Sequence, residues 1–314
     1  MKIICTNVNG AIAYNVVQEA LNRGHSVIML NAPDSLPNRA KLEKLSLDIS
    51  DLNSLERIVL DVFPDAILNC SDVASSDIND DNIDFVKAIN VDMPEKLAQL
   101  AFHLSSRFIH ISSDMIFDGR TSPILYTDIP SPYNLYGHTK LMAEKKVLKA
   151  GAKCSVVLRV PQILGKSLEG NSSFDEKFLL EAKSGVKQSF ATNDKRMCAS
   201  AKNIADLVIE LCERASVTGI HQFATRHCIS QFELAQAICE QLKLDATKFI
   251  EPIELEEALD FTLDCTDLIP KVKARPYDFD EVIEAIEVPS SCEDWYYEQT
   301  AIKSIKRFKL EGGI

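Results

Sequence analysis

Short apolar runs rich in β-branched residues alternate, from the first residues onward, with amphipathic stretches of helical length. Five runs have the composition of buried strands, and a weaker one lies near Lys44–Ser46; the five are Lys2–Cys5, Ser26–Leu30, Ala66–Asn69, Phe108–Ser112 and Ser155–Val160. The stretches between them include VVQEALNRG, LNSLERIVLDVF and FVKAINVDMPEKLAQLAFHL, which place apolar residues at helical spacing. This alternation predicts βαβ units and an α/β fold with a doubly wound, Rossmann-like parallel sheet.

The rhythm becomes irregular after about Gly165. Helices are predicted at Asp175–Ser184, Ile204–Arg214 and Gln231–Leu242, with a short extended piece at Ile220–Phe223. We therefore predict a dinucleotide-binding domain over residues 1–165 and a smaller C-terminal α/β substrate-binding lobe over residues 166–314. The boundary is soft, because chains of this kind often cross between lobes more than once.

Composition narrows the functional classes. No apolar run reaches the ~18–20 residues of a membrane span, and the N-terminal MKIICTNVNG lacks the features of a signal peptide, so we expect a soluble, cytoplasmic protein. Nine cysteines without zinc-type spacing predict reduced thiols and no metal site. A net charge of −12 disfavours nucleic acid as a partner, while a local basic pocket can still bind an anionic small molecule.

The chemistry-bearing residues begin in RFIHISSDMIFDG, a predicted strand that ends at Ser112-Ser113-Asp114. Tyr136 and Lys140 follow, four residues apart at the start of a predicted helix, so they share one helix face and the lysine charge favours the ionised phenol. Ser113 lies where parallel sheets place their sites and could hydrogen-bond a substrate oxygen. Tyr-x-x-x-Lys alone is too short to be specific, and its position after this strand end gives it meaning.

These segments resemble a known family. ISSDMIFDG, followed by Y-x-D-x-P-x-P-x-N-x-YG-x-TKL-x-AEK, is similar to the extended short-chain dehydrogenase/reductases related to dTDP-4-dehydrorhamnose reductase. The segment is also similar to the regulatory beta subunit of methionine adenosyltransferase, of the same superfamily. LRVPQILG, NDKRMCASAKNIADL, TGIHQFATRHCISQFELAQAI and a single ARP add weaker matches.

The resemblance implies roles for individual residues. Ser113, together with Asp114, would contact the substrate keto group, Tyr136 would donate the proton, and Lys140 would bind the nicotinamide ribose. Arg275, in the ARP match, would face the pyrophosphate of a sugar nucleotide, with a surface or structural role as the alternative.

The loop expected to hold the dinucleotide departs from the relatives' G-x-x-G-x-x-G and reads Asn7-Val8-Asn9-Gly10-Ala11-Ile12-Ala13. Asn7 tolerates a positive φ and can keep the turn. A helix N-terminus at Gly10, Ala11 and Ile12 still offers backbone N–H groups to a phosphate. The resemblance therefore implies an NADP or NAD site with altered affinity.

Other residues are assigned to the cofactor by the same resemblance. Asn31 stands where an acidic residue would select NAD, and Arg39 could meet a 2′-phosphate, so NADPH is slightly preferred. The remaining assignments are Asp48 and Ile49 at the adenine, Asn69, Cys70 and Ser71 beneath the cofactor, and Pro161 near the nicotinamide amide.

Two functions follow from these expectations. The first is an NAD(P)H-dependent reductase that acts on a keto group of a nucleotide-linked sugar. The second is a non-catalytic, cofactor-binding regulatory protein, motivated by the eroded glycine loop. The expected partners are a nucleotide sugar and either a second copy of the chain or a regulatory partner protein.

Overall fold

The computed structural model describes residues 1–7 and 10–300. Seven strands, numbered in chain order, form the main sheet: β1 (Lys2–Thr6), β2 (Ser26–Leu30), β3 (Leu42–Leu45), β4 (Ala66–Asn69), β5 (Arg107–Ser113), β6 (Ser155–Val160) and β10 (Gly219–Gln222). Their order across the sheet is β10-β6-β5-β4-β1-β2-β3, and every neighbouring pair is parallel. The predicted doubly wound parallel α/β fold is confirmed, with its switch point between β1 and β4.

Helices cover both faces of this sheet because each has an apolar stripe to bury. α1 (Ala11–Asn22) and α7 (Ala201–Glu213) share an apolar cluster with one face. α2 (Leu52–Val62), α4 (Met93–Leu104) and α5 (Leu135–Gly151) pack on the opposite face. The main sheet is therefore buried on both sides, which accounts for the almost uninterrupted apolar character of its strands.

The helical stretch that leads to Pro94 is locally widened. α3 (Ile83–Lys87) runs into a π-helical stretch at Ala88–Asp92, and Pro94 sits in the first turn of α4. A proline ring crowds the carbonyl four residues earlier and has no N–H to donate, which favours such a local widening. The stretch carries a buried Asn90, and its side chain takes part in the site described below.

α7 and β10 follow residue 165 in sequence but pack in the first lobe. The other elements from Gln162 onward surround a second apolar core: β7 (Gln162–Leu164), α6 (Phe174–Lys183), β8 (Gln188–Ala191), β9 (Asp194–Ser200), β11 (Cys228–Ser230), α8 (Gln231–Gln241), α9 (Ala246–Phe249), β12 (Ile250–Ile253), β13 (Leu259–Phe261), α10 (Phe279–Glu284) and α11 (Glu293–Thr300). β9 is the central strand here, paired with β7, β11 and β13, while β8 pairs with β12. The division at residue 165 stays a prediction, and residues 301–314 of the predicted second lobe lie outside the described residues.

A buried ion pair ties α5 to the sheet directly below the carboxyl ends of β5 and β6. Arg159 Nη2 lies 2.8 Å from Glu144 Oε2, and both side chains are 2% exposed. Ser112 donates its hydroxyl to Glu144 Oε1 at 2.5 Å, and Arg159 Nη1 donates to the Tyr126 carbonyl at 3.0 Å. Ser112 and the Tyr126 carbonyl thus give the two charged groups further hydrogen bonds, which a buried ion pair needs because no water solvates it.

Removing one member of this pair tests its contribution to stability. Glu144→Ala leaves the Arg159 guanidinium buried without its carboxylate, so the free energy of unfolding should fall by about 3–5 kcal/mol in urea denaturation. Glu257→Ala is the matched control, because Glu257 pairs with Arg120 at a position where both side chains are about two thirds exposed. Its denaturation midpoint should not move, and equal effects of the two substitutions would contradict the expectation.

Candidate functional site

A cleft of about 710 Å³ opens at the carboxyl edge of the main sheet. It contains all three predicted catalytic residues, Ser113, Tyr136 and Lys140. The predicted cofactor residues that also line it are Asn7, Gly10, Ala11, Ile12, Cys70 and Pro161. The second lobe supplies the opposite wall through residues 171–173 and through Lys177 and Glu181 of α6. The cleft therefore joins the strand ends of the first lobe to the second lobe.

The N-terminus of α5 places Tyr136 and Lys140 against this edge. Asn134 caps the helix by accepting the Gly137 N–H at 2.8 Å. A Cβ at Gly137 would lie 2.1 Å from the Met115 carbonyl oxygen, so only glycine lets the helix approach the segment after β5 this closely. The glycine that follows the tyrosine in the sequence thus has a packing function that positions the tyrosine.

Tyr136 donates its hydroxyl hydrogen to Asp72 Oδ2 at 2.8 Å. Lys140 Nζ donates to the Ile111 carbonyl at 2.6 Å and lies 3.7 Å from the same Asp72 oxygen. Burial, and then the Asp72 carboxylate, raise the pKa of Tyr136 well above its usual range. The net shift of the Tyr136 pKa is opposite to the one expected from the Lys140 charge alone, because burial and the Asp72 carboxylate outweigh it.

Ser113 stands at the end of β5, as predicted. Its hydroxyl donates to Asp114 Oδ1 at 3.2 Å and accepts the Met115 N–H at 3.2 Å. Asp114 is buried, 3.9 Å from Arg196, and burial raises its pKa. Asp114 does not line the cleft and bonds Ser113, and its contact with a substrate stays a prediction.

The eroded glycine loop is described at Asn7 and from Gly10 onward. Asn7 has a φ of 53°, the left-handed conformation expected of it, and residues 8–9 lie outside the described residues. Gly10 has a φ of −71°, which any residue adopts, and a Cβ there would come no closer than 3.8 Å to another atom. The lack of a side chain at Gly10 therefore leaves open space in the cleft at the start of α1. The Ala11 N–H at the start of α1 donates to Ser172 Oγ of the second lobe at 3.1 Å.

Asn69 and Ser71 lie beneath the cleft and support its floor. Asn69 accepts the Thr6 hydroxyl at 2.9 Å and bonds His110 Nδ1 at 3.0 Å. The N–H groups of Cys70 and Ser71 both donate to Thr6 Oγ1 at 3.2 Å. These bonds fix the turn after β4, so that Cys70 lines the cleft and Ser71 is buried below it.

Asn31 and Arg39 do not line the cleft. Asn31, with a φ of 56°, uses its side-chain oxygen to accept the Leu47 N–H at 2.8 Å. Arg39 is exposed and donates to Gln18 and Asn22 on α1. Contacts of these two residues with the ribose or a 2′-phosphate stay predictions.

Three further assigned residues also lie outside the cleft. Asp48 accepts the N–H and hydroxyl of Ser50, which lowers its pKa, and Ile49 packs against the apolar cluster of α2. Arg275 has a side chain that is 62% exposed and forms an ion pair with Glu281 at 2.5 Å. The expectation that Arg275 faces a substrate pyrophosphate is thus not met by this arrangement, because Glu281 holds the guanidinium at the surface.

Asp72, Asn90 and Ser172 are among the residues of the site that the sequence analysis did not identify. Asp72 lies three residues past the end of β4, a position from which a carboxylate could have been expected to enter the cleft. Asn90 is a polar residue in an otherwise apolar helical stretch, and a buried amide of this kind needs partners. No local sequence pattern marks Ser172, because its partner Ala11 is distant in sequence and lies in the other lobe.

Within residues 1–7 and 10–300, no helix is both long and apolar enough to cross a membrane. The same residues contain no group of three or more His, Cys, Asp or Glu side chains placed to hold a metal ion. All nine cysteines belong to this part of the chain and are free thiols.

Comparison with known structures shows which solved proteins have a similar fold. The Bordetella bronchiseptica enzyme WbmH, solved in complex with NAD+, superimposes with a TM-score of 0.80 over 96% of this chain and 99% of its own, at 18% identity. A hypothetical dTDP-4-dehydrorhamnose reductase from Sulfolobus tokodaii gives a TM-score of 0.76 over 92% of this chain and 100% of its own, at 24% identity. The likeness at these identities concerns the fold.

Sequence comparison identifies the family. Methionine adenosyltransferase 2 subunit beta of Bos taurus is 31% identical over 67% of this chain, and the match spans 63% of that relative's length, a little under two thirds. The dTDP-4-dehydrorhamnose reductase of Aggregatibacter actinomycetemcomitans is 26% identical over 87% of this chain and 92% of its own. The sequence model described as the RmlD substrate binding domain matches residues 1–260. The resemblance inferred from the motifs is confirmed, and the chain belongs to the RmlD substrate binding domain family.

Proposed function

We propose that the protein is an NAD(P)H-dependent reductase of a keto group on a nucleotide-linked sugar. The observation that carries this proposal is the convergence of Ser113, Tyr136 and Lys140 in one cleft at the carboxyl edge of a parallel sheet. A relative named dTDP-4-dehydrorhamnose reductase supports the reaction class, and a neighbour solved with NAD and UDP supports a nucleotide-linked substrate.

The residues of the cleft suit a dinucleotide. Related folds have been solved with NAD+ and with NADP. Gly10 leaves room at the start of α1, where the Ile12 N–H and, once released from Ser172, the Ala11 N–H would hydrogen-bond a phosphate in a favourable helix dipole. We expect Lys140 to bind a ribose hydroxyl and Pro161 to neighbour the nicotinamide. NADPH is the favoured form, because Asn31 brings no negative charge against a 2′-phosphate.

When bound, the reduced nicotinamide supplies the hydride that goes to the carbonyl carbon of the substrate. Ser113 orients the carbonyl oxygen by donating its one hydroxyl hydrogen, which turns from Asp114 Oδ1 to the substrate. Tyr136 gives its hydroxyl proton to the same oxygen and becomes a phenolate, which the Lys140 ammonium stabilises. Because burial and Asp72 raise the pKa of Tyr136, the acid form persists to a higher pH than in a free tyrosine.

Removal of the phenol hydroxyl tests the proton-transfer step. Tyr136→Phe should lower NADPH-dependent reduction of dTDP-4-keto-6-deoxy sugars by roughly 10²–10⁴-fold while cofactor affinity in calorimetry stays nearly unchanged. Tyr126→Phe removes a phenol outside the cleft and should keep the activity of the unmodified protein. A Tyr136→Phe variant as active as the unmodified protein, across a panel of keto sugars, would refute the proposal.

A cofactor-binding subunit with no reaction of its own is the second candidate. One observation favours it: the hydroxyl hydrogen of Tyr136 is held by the Asp72 carboxylate. The relatives named methionine adenosyltransferase 2 subunit beta suggest a protein partner for this candidate. Equal background rates for the unmodified protein and Tyr136→Phe, with cofactor bound to both, would favour it over the reductase.

Filling the space at Gly10 tests the cofactor site under either candidate. The backbone conformation of Gly10 accepts any residue, so Gly10→Val should fold normally and still block the approach of a pyrophosphate to α1. We expect calorimetric binding of NADPH and NADH to be lost in Gly10→Val and only weakened in Gly10→Ala. The thermal unfolding midpoints without cofactor should match in all three proteins. Undiminished binding by a folded Gly10→Val protein would place the cofactor elsewhere.

A further inference from the structure

One carboxylate oxygen lies between the two side chains that the proposed reaction depends on. Asp72 Oδ2 is 2.8 Å from the Tyr136 hydroxyl oxygen and 3.7 Å from Lys140 Nζ. Lys140 is 3% exposed and Asp72 is 34% exposed, so the carboxylate reaches the buried pair from the cleft side. The hydroxyl hydrogen of Tyr136 therefore has a charged acceptor before any substrate arrives.

The position of Asp72 is fixed by its neighbours. Asn90 accepts the Val73 N–H at 2.7 Å and donates to the Val73 carbonyl at 3.2 Å. The same amide donates to Thr139 Oγ1 at 3.1 Å, and Thr139 in turn donates to the Tyr136 carbonyl at 2.8 Å. The segment after β4 and the start of α5 are thus joined by buried bonds, which hold the carboxylate and the phenol in register.

We propose that Asp72 is a positioning residue whose carboxylate holds the hydroxyl hydrogen of Tyr136 and keeps this tyrosine in its acid form. A tyrosine hydroxyl has one hydrogen, and a carboxylate accepts it more strongly than a neutral carbonyl oxygen does. A negative charge beside the oxygen also opposes its ionisation. Asp72 is therefore a restraint that a substrate carbonyl must displace, and it favours proton donation over proton acceptance.

Other titratable groups lie near Tyr136 and Lys140. Asp114 also raises the pKa of Tyr136, whereas the Ser113 hydrogen bond lowers it. His110, below Lys140, is neutral, because burial and then the Lys140 charge lower its pKa well below its usual range. Across the cleft stand Lys177 and Glu181 of α6, without a hydrogen bond to Tyr136 among the described residues. Asp72 is the carboxylate in direct contact with the phenol, so its removal isolates the effect.

An optical titration of tyrosinate absorbance tests this restraint without any substrate. The full-length protein, Asp72→Asn and Asp77→Asn are each compared with the same protein carrying Tyr136→Phe, so that the difference reports Tyr136 alone. Asp77→Asn is the matched control, because Asp77 is an exposed carboxylate of the same cleft whose side chain bonds Ser76. We expect Tyr136 to ionise at lower pH in Asp72→Asn and at an unchanged pH in Asp77→Asn. Ionisation of Tyr136 at the same pH in the unmodified protein and in both Asp72→Asn and Asp72→Ala would overturn the proposal.

The consequence for catalysis rests on the proposed function, and a pH profile tests it separately. In the reductive direction, the alkaline loss of kcat should begin at lower pH in Asp72→Asn, with activity about threefold or more below the unmodified protein in the alkaline range and little changed near neutrality. A shifted titration together with no reduction of any keto sugar by the unmodified protein would leave the restraint standing and refute the reductase. An unshifted titration together with normal reduction of a keto sugar would overturn the restraint and leave the reductase standing.

Discussion

Three buried polar side chains on adjacent strands, Thr6, Asn69 and His110, hold the floor of the site together. The parallel register sets Thr6 opposite Asn69 and Asn69 opposite His110, which brings their side chains to one row across β1, β4 and β5. Thr6 donates to Asn69, Asn69 bonds His110, and Thr6 also accepts two N–H groups of the turn after β4. A one-residue slip between two of these strands would turn polar side chains of the row into apolar surroundings. The row therefore disfavours any other strand register.

The row determines what enters the cleft. Because it fixes the turn after β4, Asp72 emerges at the level of Tyr136, and Asn90 then binds Val73 so that the segment cannot drift from α5. On the other side of β5, Glu144 and Arg159 secure α5 to the sheet from below. The phenol is thus held between two buried polar networks, and its protonation depends on a carboxylate that these networks place.

The start of α1 shows what two residues of a weakened motif retain. Asn7 has the left-handed conformation that a glycine would adopt at no cost, and Gly10 leaves open space at the helix terminus. Ser172 satisfies the Ala11 N–H from the second lobe. A phosphate at α1 would compete with Ser172 for the Ala11 N–H.

The sequence by itself determined the features that depend on local spacing. The alternation of strands and helices follows from periods of two and 3.6 residues, and the positions of Ser113, Tyr136 and Lys140 follow from a strand end and one helical turn. Only the tertiary structure decided that α7 and β10 return to the first lobe, and that Glu281 holds Arg275 at the surface. It also decided the direction in which the pKa of Tyr136 is displaced. Lys140 is a neighbour of Tyr136 along the helix, whereas Asp72 lies 64 residues away in sequence. Asp72 nevertheless contacts the phenol directly, because the folded sheet brings the turn after β4 to the start of α5.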